Sequence, residues 1–174
     1  MASQLYSEIE FAVKQQRLTQ AQTLLQKMDN DYANTPYQDQ GHLFMAKLFM
    51  DSVDYENAIL QLEFLIDNAT DESLKHIARI RIARIKLQQN LYDEALQILE
   101  TESMGSFEAK YEEIKGDIFA KKGEFPEAQA AYLKALDLLL PGEFDYEYIQ
   151  MKFKDIQSDD LNDTKESKDG NAWG

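Results

Sequence analysis

Apolar residues along the chain recur at intervals of three, four and seven. Phe44, Leu48 and Phe49 form one such stretch, and Ile59, Leu62, Leu65 and Ile66 form the next. Ile77, Ile80, Ile85 and Leu87 are followed by Leu96, Ile98 and Leu99. Ile114, Ile118 and Phe119 are followed by Tyr132, Leu133, Leu136 and Leu139. This spacing lines up apolar side chains on one face of an α-helix. The stretches alternate with a recurring marker: a bulky apolar residue, two polar or small residues, then Ala. It reads Leu18-Thr19-Gln20-Ala21, Tyr55-Glu56-Asn57-Ala58, Tyr92-Asp93-Glu94-Ala95 and Phe125-Pro126-Glu127-Ala128, with the alanines at spacings of 37, 37 and 33. Each marker has one helical stretch upstream and another downstream, so the chain is expected to fold as helix pairs that stack and bury their apolar sides on one another.

The small residues fit that packing. Ala46, Ala83 and Gly116 precede Ala58, Ala95 and Ala128, each by the same interval, where two helices of a pair would cross closely. Boundary signals agree. Thr35-Pro36 precedes the second pair, Asp71 or Ser73 suits a cap for the third, and Ser103–Ser106 forms a turn before the fourth. Lys122-Gly123-Glu124 is a turn inside the fourth pair, Pro126 fits the first turn of the helix after it, and Pro141-Gly142 ends that helix. Tyr146, Ile149 and Phe153 then predict one more helix, a cap on the fourth pair. The fold expected is all-α: a solenoid of about four helix pairs plus a C-terminal capping helix. It covers residues 3–157, followed by an acidic, disordered tail over 158–174 in which Trp173 is a solvent-exposed residue.

Composition narrows the function. The 174 residues carry 18 Lys and Arg against 32 Asp and Glu, a net charge of −14, of which −4 falls in residues 155–174. Such a surface repels nucleic-acid backbones and anionic lipid headgroups. The chain has no Cys, hence no disulfide, thiol nucleophile or Cys-ligated metal. No apolar run is long enough to span a bilayer. His42 and His76 fall at the start of consecutive first helices, without zinc-site spacing, and read as helix surface or interface residues. Neither a phosphate-cradling glycine loop nor a nucleophile elbow occurs. Adjacent acids such as Glu112 and Glu113 do not share a helix face. No cofactor, metal or small-molecule substrate is expected, and a hydrolase with a surface carboxylate site is the least favoured of three readings.

Function is instead sought on the inner face of the solenoid, which the first helix of each pair lines. Counting from the small residues, the inward positions include Lys47 and Met50, then Ile80, Arg84 and Gln88, then Glu113, Asp117 and Lys121. The candidate protein-binding groove is Lys47, Met50, Ile80, Arg84, Gln88 and Lys121. This face mixes apolar, basic and acidic groups, as a protein or peptide surface does, although it equally suits the chain's own terminal helix. One helix departs from the acidic background: Lys75, Arg79, Arg81, Arg84 and Lys86 fall within a single short stretch. Two readings stand for it: ion pairing with acids of neighbouring helices, or contact with an anion or acidic peptide.

The segment Gly116-Asp117-Ile118-Phe119-Ala120-Lys121-Lys122-Gly123-Glu124-Phe125-Pro126-Glu127-Ala128 and the segment Val53–Ala58 resemble tetratricopeptide repeats, whose period is about 34 residues. The family's aromatic near the fourth position is replaced by His42, Arg79 and Glu112. Leu43, Ile80 and Glu113 lack the bases that some such proteins use to clamp terminal carboxylates. His76–Ile85, Asp93-Glu94-Ala95-Leu96, Gly105, Phe107 and Gly116-Asp117 are similar to the YfgM-like family, ancillary subunits of the bacterial Sec translocon. That resemblance implies a non-enzymatic, periplasmic repeat domain of an inner-membrane protein, with the translocon and periplasmic chaperones as partners. It also implies a transmembrane anchor ahead of the repeats, expected upstream of this chain. The alternatives are a self-assembly or envelope-scaffold module, with homodimerisation left open, and a cytoplasmic location.

Overall fold

A computed structural model of the chain describes residues 1–169, with side chains through Ser158. Among the described residues there are nine α-helices, one short 3-10 turn and no strand. The expected helices are present in chain order: α1 (Ala2–Lys14) and α2 (Leu18–Asp31), α3 (Pro36–Asp51) and α4 (Tyr55–Asn68), α5 (Glu72–Gln88) and α6 (Tyr92–Ile98), and α7 (Glu108–Lys122) and α8 (Phe125–Asp137); α1 packs on α2, α3 on α4 and α7 on α8. A final helix, α9 (Phe144–Asp169), follows. The chain forms two compact units, Met1–Ile85 and the residues from Lys86 onward, so that α5 runs across the division.

In the first unit, α1 packs on α2 and α3, α2 on α3, and α3 on α4. Their shared core holds Ile9, Ala21, Met28, Met45, Leu62 and Leu65, each at most 1% exposed. In the second unit α7 packs on α6 and α8, and α8 on α9. Ala128, Tyr132, Ala135, Ile149 and Ile156 form that core, with Phe119, Phe125, Leu136 and Phe153 against it. The capping role expected of the last helix is therefore filled by Ile149 and Ile156. The helix is longer than the spacing of Tyr146, Ile149 and Phe153 predicted. It continues past 158, the expected start of the tail, to Asp169, and Trp173 lies outside the described residues.

The alanines occupy the crossings. Ala21, Ala58, Ala95 and Ala128 are fully buried, as are Ala46 and Ala83 to within 1%. At Gly116 an added Cβ would lie 2.5 Å from Cε1 of the Tyr132 ring, so the backbone of α7 rests on that ring and no side chain fits between. The first pair departs from the rule: Ile9, which stands at the equivalent place ahead of Ala21, is a bulky residue and is wholly buried.

The turn inside each pair is the same four times. Five residues before each packing alanine the backbone adopts a left-handed conformation, at Gln16 (φ 55°), Val53 (φ 59°), Asn90 (φ 60°) and Gly123 (φ 78°). The next residue donates its N–H back five residues: Arg17 to Ala12, Asp54 to Phe49, Leu91 to Lys86 and Glu124 to Phe119, each at 2.9 Å. This is the helix-ending arrangement that glycine favours. Only Gly123 satisfies that preference. Val53, β-branched and in the left-handed region, is the strained member, at a cost of about 1–2 kcal/mol. Elsewhere side chains set the boundaries. The Thr35 hydroxyl accepts from the Gln38 N–H at 3.3 Å ahead of Pro36, Asp54 accepts from Asn57, and Asp71, the nearer of the two expected caps, accepts from the Ser73 N–H at 2.8 Å.

Candidate functional site

A pocket of about 260 Å³ opens in the first unit between α3, α4 and α5, lined by Ala46, Lys47, Met50, Leu62, Arg81, Arg84 and Ile85. The pair crossing makes it: small Ala46 leaves room above Leu62, and Ile85 closes the far side. Ala46, Leu62 and Ile85 are buried and form an apolar floor, while Lys47, Arg81 and Arg84 are exposed at the rim. Among the described residues no hydrogen bond or ion pair engages any of these three cations. Partial burial, reinforced by the neighbouring positive charge of Arg84, lowers the pKa of Arg81. Lys47 also borders a second cleft with Glu10, Val13, Phe44 and Asp51.

Three of the expected groove residues, Lys47, Met50 and Arg84, therefore come together in one pocket. Ile80 is only 7% exposed and serves as a core residue. Gln88 and Lys121 are exposed on the second unit. Arg81 and the floor residues Leu62 and Ile85 were absent from the sequence-derived set. Arg81 sits two residues before Ala83, on the helix singled out for its charge, so its position relative to the small residue was the available signal. On that basic helix ion pairing takes up two of the cations, one within the helix and one with its neighbour α6. Lys75 pairs with Glu72 at 2.8 Å and Lys86 with Glu94 at 2.7 Å, whereas Arg81 and Arg84 are left open.

His42 is an interface residue. It is 5% exposed, stacks on Phe64 with ring centroids 3.6 Å apart, and places its two nitrogens 2.9 Å from Gln61 and 3.1 Å from Asp29. Burial alone would raise the Asp29 carboxyl, but hydrogen bonds from His42 and Gln38 outweigh it and hold the pKa below the ordinary value. The ring ties α2, α3 and α4 together in the place of the aromatic contact that the repeat pattern lacks at this position.

The second unit treats its inward positions differently. Glu113, 1% exposed, accepts from Lys110 at 2.6 Å and from Lys152 of α9 at 2.9 Å. Lys152 also donates to both oxygens of Asp117, at 2.9 and 2.8 Å, and the Tyr132 hydroxyl donates to Asp117 at 2.7 Å. Burial would raise the Glu113 carboxyl, yet the hydrogen bonds from the two lysines lower it below its ordinary range. Burial opposes the charge of Lys152, and its carboxylate partners win and raise its pKa. Burial and the Asp117 charge push the Tyr132 hydroxyl up. Here the chain's own terminal helix supplies the base that the acids of α7 hold. Among the described residues no group of three His, Asp or Glu side chains is arranged to hold a metal ion, and no helix is long and apolar enough to cross a membrane.

Helix pairs with alanine-filled crossings, closed by one repeated turn, define a helical-repeat scaffold. The model of the tetratricopeptide repeat-like domain matches residues 1–158, and the chain belongs to that family. Curated relatives include proteins named ancillary SecYEG translocon subunit. The one from Buchnera aphidicola subsp. Schizaphis graminum is 36% identical over 115 residues, 66% of this chain and 59% of the relative. Those from Neisseria gonorrhoeae and Escherichia coli are 29% and 30% identical, over 76% and 52% of this chain and 64% and 44% of their own lengths. The resemblance to that family is thus borne out, with the chain spanning under two thirds of these relatives. Among solved structures, MamA 41-end from Desulfovibrio magneticus RS-1 matches with a TM-score of 0.61 at 17% identity, covering 98% of this chain and 97% of that one. The MamA RS-1 ArsTM double mutant matches with the same score at 15% identity. These two likenesses speak for the fold alone.

Proposed function

We propose that this chain is the non-enzymatic, protein-binding domain of an ancillary Sec translocon subunit, acting on the periplasmic side of a bacterial inner membrane with chaperones among its partners. The observation that carries the reading is the match to relatives bearing that name, 36% identical over 115 residues for one of them. The tetratricopeptide repeat-like fold, with exposed side chains around an open pocket, supports it. The tie to the membrane is proposed to lie outside the described residues, none of whose helices can cross a bilayer. In-cell photo-crosslinking from Met50 and Lys121, one in each unit, tests the proposal. Adducts with translocon subunits and periplasmic chaperones are expected, and adducts with copies of the chain alone would reject it.

That rejecting outcome is the second reading, a self-assembly module. It has one observation in its favour: Phe144, Tyr148 and Met151 follow one another along a face of α9 and are 82%, 40% and 52% exposed, an apolar ridge of the kind that marks contact surfaces. A molecular-mass measurement across a dilution series decides it, with a monomer at all concentrations excluding assembly.

A further inference from the structure

The pocket of the first unit gathers positive charge in an acidic chain. In a protein of 18 bases and 32 acids, Lys47, Arg81 and Arg84 converge on one opening and none of them meets a carboxylate among the described residues. Neighbouring lysines show that the same helix readily pairs its cations internally, as Lys75 does with Glu72. Two arginines held close without an anion repel each other. A guanidinium pair presents forked donors that match a carboxylate. Beneath them the floor of Ala46, Leu62 and Ile85, with Met50 beside it, offers apolar surface in a space of about 260 Å³.

We infer that this pocket binds a polypeptide segment in which an Asp or Glu side chain stands next to a bulky apolar residue. The carboxylate bridges Arg81 and Arg84 with Lys47 nearby, and the apolar side chain fills the space over Leu62 and Ile85. The inference rests on the protein-binding reading above and names the chemistry of the ligand. Charge decides against polyanions. Three cations can neutralise an isolated carboxylate, whereas a nucleic acid or an anionic membrane would bring many further charges against a chain of net −14. A phosphate group would also leave the apolar floor unused.

The test is fluorescence anisotropy of the full chain with four short labelled peptides of equal length, acetylated and amidated unless stated. The first alternates Glu with Leu and Phe, the second replaces Glu by Gln, the third replaces Leu and Phe by Ser, and the fourth is the Gln peptide with a free terminal carboxylate. The first is expected to bind at least tenfold tighter than the other three, and to weaken as salt rises. In the double variant Arg81→Gln, Arg84→Gln, the preference for Glu over Gln should fall to below threefold. Met50→Glu, at the rim, should weaken the Glu peptide selectively and keeps the test independent of any folding defect in the double variant. Equal binding of Glu and Gln peptides, no binding of any peptide, or binding that follows the terminal carboxylate alone overturns the inference. Peptide selectivity without translocon adducts from position 50 would leave this ligand chemistry standing and remove the translocon assignment. Adducts without selectivity for acid would do the reverse.

Discussion

The residue that follows the small packing residue is Lys47 in one helix pair, Arg84 in the next and Asp117 in a third, and its environment differs between the two units. In the second unit Asp117 is fully engaged: Lys152 reaches both of its oxygens and Tyr132 donates a third hydrogen bond. In the first unit Lys47 and Arg84 face an open pocket with no acid on them. One repeat position thus serves internal cohesion in one place and recognition in another. The neighbour decides which. Where another helix brings an opposite charge, as α9 brings Lys152 to Asp117, the position is closed; Lys47 shares its pocket with Arg81 and Arg84 of α5, like charges, and stays available.

Removing the base that closes the second unit should have the largest effect. Lys152→Met leaves Glu113 and Asp117 with one fewer counter-ion in a buried setting, where breaking a pair costs about 3–5 kcal/mol. The lower end is expected because Lys110 still reaches Glu113, and urea unfolding measures it. Gly116→Ala forces a methyl into the Tyr132 ring and should cost about 1–3 kcal/mol by overpacking, read the same way.

The same lysines give the comparison a pH signature. Glu113 has a folded pKa below its ordinary value of 4.5, so its contribution is complete above that value and is lost as pH falls through the folded one. Stability should therefore decline on acidification below about pH 5, and Glu113→Gln should flatten that decline. A slope unchanged by this substitution would show that the lysines do not hold Glu113 ionised. Lys152, with a raised pKa, acts at the other end: its contribution is full below 10.5 and fades as pH rises past that value.

Smaller effects should come from the first unit. Val53→Gly removes the left-handed strain but loosens the unfolded chain, for a net gain of about 0.5–1 kcal/mol. Arg81→Gln and Arg84→Gln, which break no internal contact, should each change stability by less than about 0.5 kcal/mol. A large loss in either arginine variant would mean that these side chains brace the fold, and the contrast between the units would collapse.

Much of this was legible in the chain. Ala58, Ala95 and Ala128, with their small partners at one fixed interval upstream, announced the crossings because close backbone approach leaves few residue choices. Thr35-Pro36 and Gly123 announced boundaries because their conformational restrictions are local. Three features were hidden for physical reasons. Val53 occupies a conformation that its own side chain disfavours, imposed by the helices on either side. Ile9 fills a crossing where a small residue was expected, so its burial reflects the packing of α1 on two neighbours rather than a local preference. The Lys152 contacts join residues far apart in sequence, which periodicity cannot see. In the candidate site, Lys47, Met50 and Arg84 followed from counting along the repeat. Arg81 did not, because the pocket is set by where α5 lies against α3 and α4, and Ile80 turns inward for the same reason.

The four matching turns have a practical corollary for anyone rewriting the gene. The hydrogen bond that closes each of them spans a fixed number of residues, so one residue added between Ser52 and Asp54 would break the Asp54 to Phe49 bond and disturb the seat of Ala58. The links between pairs vary already: four residues separate α2 from α3, three separate α4 from α5, and nine, including the 3-10 turn, separate α6 from α7. An epitope tag or fluorophore site placed between Leu99 and Gly105 should leave the flanking helices in register. The chain is editable at its joints and not at its hinges.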